Sequence, residues 1–248
     1  MFHVKHYSVF LLDKAQISFH IGRMFFDQYF LILVVPTLIL SMIAQVMVKS
    51  AFAKYSQVRG SKNISGRDAA LLLLKANSVN DVTVEAVRGS LSDHYDPRTK
   101  TLRLSEPVFA QPSIAAVGVA AHEAGHAIQH ARGYAPLVLR STLVPVANIG
   151  SSIGPWVAIA GFFFGHPLLI NIGIVLFGGA VLFYLITLPV EFNASTRALA
   201  MLKRNNVLTP AELEGAKKVL NAAALTYVAS ALTALMSLLR LILLSRRR

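Results

Sequence analysis

The run LVPVANIGSSIGPWVAIAGFFF at 143–164, followed by GHP at 165–167 and LLINIGIVLFGGAVLFYLITLPV at 168–190, decides the architecture. Neither apolar block contains an acidic or basic residue, and each is close to the ~20 residues that a helix needs to cross a hydrocarbon core. A break of three residues containing Gly and Pro predicts two antiparallel membrane helices, a hairpin that returns the chain to the side it left. Pro and Gly inside the blocks do not argue against this, because neighbouring helices can satisfy the backbone groups they free.

Outward from the hairpin, the uncharged block Tyr29 to Val48 predicts a first transmembrane helix at 29–48. The N-terminal extension, 1–28, is too polar for a secretory signal and has no small-residue cleavage site, so the block is expected to be an uncleaved anchor. Met24 is an alternative initiator, which would leave His3, His6 and His20 without a role. Beyond the hairpin, 191–220 is expected to be a helical segment carrying a third ligand, with the capping-box start Thr209-Pro210-Ala211-Glu212. Residues 221–244 then form either a fourth crossing or a helix lying against the others, since Arg240 and scattered Thr, Ser and Tyr interrupt the apolar run.

Between the first helix and the hairpin, 49–142 mixes polar and apolar residues with both charge signs, as a water-exposed domain does. Ser65 with Asp68 three residues on predicts a capped helix to about Asn77. Val82 to Val87 predicts a strand, Asp96-Pro97 a turn, and the alternating Thr101-Leu102-Arg103-Leu104-Ser105 a second strand in a small sheet with an exposed edge. A further helix is expected at about 112–132, ended by Gly133 and Pro136. The fold class is therefore mainly α: a multi-pass helical membrane protein with a small α+β portion.

Composition narrows the function. The 248 residues are 54% hydrophobic and 15% charged, so much of the chain belongs in lipid. The absence of cysteine excludes disulfides, thiolate metal sites and a cysteine nucleophile. The net charge of +12 comes without a zinc finger, stacking aromatics or a continuous basic stripe, so no nucleic-acid partner is expected; positive charge flanking apolar segments instead sets membrane orientation.

Chemistry concentrates in His122-Glu123-Ala124-Gly125-His126, within the expected 112–132 helix. A helix turns ~100° per residue, so His122 and His126 project from one face within reach of one metal ion. Glu123 points to the side of the pair, where a carboxylate can take a proton from water activated by that ion. The spacing fits one Zn2+. The competing reading is a core helix whose histidines only hydrogen-bond. His130 lies ~12 Å along the axis from His122, too far to share an ion, and reads as a surface or supporting residue. A third ligand must follow the helix, and Glu191 is best placed because the hairpin brings it back to the side of His122; its alternative role is an interfacial pair with Arg197. Glu212 reads as a helix cap.

The segments Asp93 to Ser105, Ala121 to Gln129 and Leu188-Pro189-Val190-Glu191-Phe192-Asn193-Ala194-Ser195 resemble the YugP-type neutral zinc metallopeptidases of bacterial membranes, over nearly everything after Tyr29. The layout is also similar to the wider gluzincin group that includes the HtpX peptidases, in which a helical hairpin separates the histidine motif from a glutamate ligand. The resemblance implies a zincin-like catalytic portion and a zinc-dependent peptidase embedded in the bilayer, acting on a protein or peptide substrate. One position departs from the wider group: it commonly has an aspartate four residues after the ligand glutamate, where this chain has Ser195. Asn193 or Ser195 is then expected to orient a histidine ligand. Thr101 to Ser105 is the expected substrate-pairing edge strand, against an ordinary sheet strand. His94, Tyr95 and Tyr227 are candidates for the donor that stabilises the oxyanion.

The expected function is thus a zinc-dependent metalloendopeptidase with ligands His122, His126 and Glu191 and Glu123 as general base. The alternatives are a membrane scaffold or chaperone retaining a zinc site, and a hydrolase of a non-peptide amide. With four crossings, the polar domain and the Glu191 region share the side that carries most of the 24 Lys and Arg, which places the active site on the cytoplasmic side of the cell membrane.

Overall fold

The structure is a computed structural model that describes residues 27–246. The readings of His3, His6, His20 and Met24 fall outside these. Asp27 opens the first helix by accepting the Tyr29 and Phe30 N–H groups at 2.8 and 3.0 Å. This helix, α1 (Phe30–Ser56), starts with a widened π turn over Phe30–Val34. The turn lies just ahead of Pro36, whose ring and missing N–H disrupt the regular bonding of the preceding turn. In α2 (Gly66–Ala76) the Ser65 side chain caps the end, accepting from the Asp68 N–H.

Three strands follow: β1 (Thr83–Val87), β2 (His94–Asp96) and β3 (Thr101–Ser105). Their order is β1-β3-β2, with β1 parallel and β2 antiparallel to β3. Thr101 to Ser105 is therefore the central strand, and its expected role as a substrate-pairing edge does not hold. Both of its sides are occupied, and Leu102 and Leu104, two apart on one face, are fully buried in the core. The edge facing the candidate site is β2, which leads into the turn expected at Asp96-Pro97.

After the short α3 (Glu106–Phe109), α4 (Ile114–Ala131) carries the histidines. Ser113 caps it by accepting from the Ala116 N–H at 3.2 Å, and the chain leaves it through Gly133 at φ +59°. Ala116, Ala120, Ala121, Ala124 and Ala127 have no exposed surface, so neighbouring elements approach the α4 backbone closely. Leu73, Leu102, Leu104 and Leu202 close the core around it, each burial stabilising by roughly 1.5–3 kcal/mol.

Two long helices form the hairpin, α5 (Ala135–Phe164) and α6 (Pro167–Arg204), and α7 (Pro210–Ser245) follows. Hydropathy places the hairpin arms at 143–164 and 168–190, but both helices continue past those limits, and the boundary at 190/191 falls inside α6. The apolar signal stops where a helix leaves the apolar environment, whereas the backbone hydrogen bonding does not. Glu191, just past the apolar run, sits within this same helix. The arms meet backbone to backbone: a Cβ on Gly150 would lie 2.2 Å from the Leu176 carbonyl oxygen, and one on Gly173 2.4 Å from the Ala158 nitrogen.

Among the described residues, α1, α5, α6 and α7 are long and apolar enough to cross a membrane, by length and composition. α7 begins with the complete capping box of Thr209 and Glu212, and Glu212 also accepts from the Ser61 N–H at 2.6 Å, tying α7 to the segment after α1. At the other end Arg240 of α7 meets Asp27 at 2.6 Å, so the start of α1 and the end of α7 lie together.

Candidate metal centre

His122 and His126 lie one turn apart on α4, and Glu191 reaches them from α6. One ligand atom from each falls within 4.8 Å of the others. Both imidazoles turn Nε2 toward the same carboxylate oxygen: Glu191 Oε2 is 3.2 Å from His122 Nε2 and 3.6 Å from His126 Nε2. Each Nδ1 faces away onto a partner, Ser195 Oγ at 3.1 Å from His122 and Gln129 Oε1 at 3.0 Å from His126. With Nδ1–H donating outward, both Nε2 lone pairs are left for a cation, the tautomer an imidazole-ligated metal requires. Two nitrogens and a carboxylate oxygen, all largely buried, suit Zn2+ with one position left open.

Close approach of α4 and α6 makes this geometry possible. A Cβ on Gly125, between the histidines, would stand 2.9 Å from the Ala194 carbonyl oxygen, so α6 fits only against a glycine there. Gln129 then bridges the two helices, donating its amide hydrogens to Val190 O and Asn193 Oδ1, both at 2.9 Å, while accepting from His126. Asn193 thus touches no histidine and acts through Gln129. It also accepts from Arg197 Nε at 2.7 Å, so Arg197 is not the partner of Glu191.

The cation beside Glu191 is instead Arg140 of α5, with Nη1 3.0 Å from Oε1 while Oε2 faces the histidines. Neither Arg140 nor Gln129 is assigned a role by the sequence alone. Gln129 had a usable signal: it lies three residues after His126, on the same face of an otherwise alanine-rich helix.

Glu123 is buried and lies beside the metal position, lining one cavity with His126 and Glu191. Burial pushes its carboxyl up from the ordinary glutamate range, against the pull of the two histidines. Burial alone would lower His126, but the facing Glu191 carboxylate outweighs it and holds the imidazole above its usual value. Asp93, also raised by burial, is steadied by the Ser105 N–H and hydroxyl at 2.7 and 3.0 Å.

The oxyanion candidates separate. The Tyr95 hydroxyl is held by His130 Nδ1 at 2.8 Å, and burial pushes its pKa up to about 12. His94 is exposed, its Nδ1 bonded to the Ser92 carbonyl at 2.8 Å. Tyr227, on α7, faces the cavity together with Glu123, His126 and Glu191. That cavity is about 610 Å3, within the range of ligand sites, and is bounded by the β2 edge on one side and by Leu137, Arg140 and Val144 of α5 on the other.

Four long apolar helices and a small sheet, with a buried His-His-Glu set able to hold one ion, define a helical protein with a candidate metal centre beside its membrane-type helices. The chain belongs to the family described as "Putative neutral zinc metallopeptidase", which it matches over residues 30–246. It is 48% identical over 215 residues to "Putative membrane protease YugP" of Bacillus subtilis (strain 168), an alignment covering 87% of this chain and 96% of that protein. No solved structure matches it.

Proposed function

We propose that the chain is a zinc-dependent endopeptidase of the gluzincin type, embedded in the cell membrane by four crossings and cutting proteins or peptides near the bilayer surface. The observation that carries this reading is the convergence of both Nε2 atoms on one oxygen of Glu191, with Glu123 buried alongside. His122, His126 and Glu191 would hold a single zinc ion, which supplies Lewis acidity to a peptide carbonyl and to water. Glu123 takes the proton of the attacking water and delivers it to the leaving amine. Tyr227 donates to the carbonyl oxygen as negative charge develops on it. The open edge of β2 pairs with the substrate backbone, in the role expected for β3.

Purified protein with zinc should cleave casein or a membrane protein, and cleavage should stop on chelation and return with zinc. Bound zinc without any product would favour the scaffold reading instead. Arg140 keeps Glu191 Oε1 occupied so that Oε2 alone meets the ion. Groups that orient metal ligands in this way are worth ~10–100-fold in affinity, so Arg140→Gln and Gln129→Ala are each expected to weaken zinc binding by about that factor in a chelator competition.

The catalytic side faces the cytoplasm in this reading, because the polar domain and the Glu191 region collect most of the positive charge. The Asp27–Arg240 contact supports a fourth crossing by α7, since it pairs the far end of α1 with the far end of α7. A reporter fused after Ser56 should therefore be active in its cytoplasmic form only; activity restricted to the outside would reverse the orientation.

A further inference from the structure

A second cavity, about 220 Å3, lies on the other face of the site, between α1, α4 and α7. It shares Asp93, Glu123 and Tyr227 with the larger one, so the two meet at the groups assigned to proton transfer and oxyanion binding. Their linings differ. The larger cavity presents Asp96, Arg98 and Arg140, whereas the smaller is walled by Phe52, Val119, Val219, Leu220 and Ala223. At its rim Leu91, 43% exposed, is held at φ +57°, a conformation disfavoured for a branched side chain. Such backbone recurs where a ligand is gripped.

We infer that the smaller cavity is the specificity subsite: it takes one large apolar side chain, such as Leu, Phe or Met, of the residue flanking the scissile bond. This rests on the peptidase reading above. The cavity is smaller than the ~300–1,000 Å3 of small-molecule sites, which suits a side chain rather than a whole ligand. Its position supplies the rest: a peptide bond placed at Glu123 and Tyr227, with its backbone running along β2 in the larger cavity, directs an adjacent side chain between α4 and α7. Apart from Gln45, Thr226 and the site groups Asp93, His122, Glu123 and Tyr227, the walls are apolar and offer dispersion contacts.

The test uses full-length zinc-loaded protein in nanodiscs and peptides that differ only in carrying Leu or Ala at the cleavage site, with products identified by mass spectrometry. Wild type should prefer the Leu peptide. Val119→Phe and Ala223→Phe, which fill the cavity from α4 and from α7, should lower kcat/KM for the Leu peptide by ~10–200-fold relative to the Ala peptide, the range for misfit in an apolar pocket. Zinc content and turnover of the Ala peptide should stay at wild-type values, which separates subsite filling from misfolding; Val119→Ala provides a variant that enlarges the cavity and should extend the preference to bulkier residues. Equal cleavage of both peptides by wild type, or an unchanged preference in the filled variants, overturns the subsite. Loss of co-purifying lipid from the filled variants with preference intact overturns it too, assigning the cavity to an acyl chain. Cleavage of neither peptide by wild type overturns the peptidase reading itself.

Discussion

Glu123→Gln is expected to retain a full equivalent of zinc while losing peptide hydrolysis by at least ~10²-fold and up to ~10⁴-fold, the range assigned to a positioned general base. The substitution is nearly isosteric, and Glu123 is not among the three groups whose donor atoms converge on the metal position. What changes is the ability to accept a proton. Burial raises this carboxyl above the ordinary glutamate range in the metal-free protein. The measurement is kcat/KM on a fixed peptide beside metal analysis of the same sample. Turnover retained by the glutamine variant would eliminate Glu123 as the base. Zinc lost together with activity would instead make it part of the binding set.

Glu191→Ala should fail in the opposite order, losing the metal first. The carboxylate supplies the third donor and the counter-charge of Arg140, at 2% exposure. Removing one partner of a buried ion pair costs about 3–5 kcal/mol, with the lower end expected here because the Arg140 side chain is 28% exposed and can draw on water. Two signatures follow in thermal unfolding. The metal-free variant should melt below metal-free wild type. Added zinc at 100 times the wild-type Kd should stabilise wild type by about 2.7 kcal/mol and leave the variant unmoved. A zinc-dependent rise in Tm that survives Glu191→Ala would remove Glu191 from the ligand set.

Much of this site was readable from sequence because its members obey local rules. A four-residue spacing puts two histidines on one helix face, and an uncharged hairpin with a three-residue turn brings a later glutamate back to them; the structure places Glu191 there. Ser195 likewise lies one turn from Glu191 and meets His122. What was not readable depends on which surfaces meet. Nothing local marks Thr101 to Ser105 as central rather than edge, because its β1 and β2 partners are chosen by the burial of Leu102 and Leu104 against α4. Arg140 carries no motif, and its pairing with Glu191 follows from the packing of α5 on α6. The full lengths of α5 and α6 were not legible for a related reason: composition tracks the surroundings of a helix, not its hydrogen bonds.

The glycine seam between α5 and α6 bears on how the chain would sit in a bilayer. At Gly150, Gly154 and Gly173 each backbone fits directly against the other arm, so the two interlock and neither can slide along the other without collision. Arg140 stands on one arm and Glu191 on the other. A slip of a single residue would displace one against the other by ~1.5 Å, enough to part a 3.0 Å contact. The hairpin therefore works as a calliper locked at one setting: in a bilayer, lipid thickness would tilt the instrument as a whole, but the gap between its jaws, where the candidate metal ligand Glu191 meets Arg140, would stay the same.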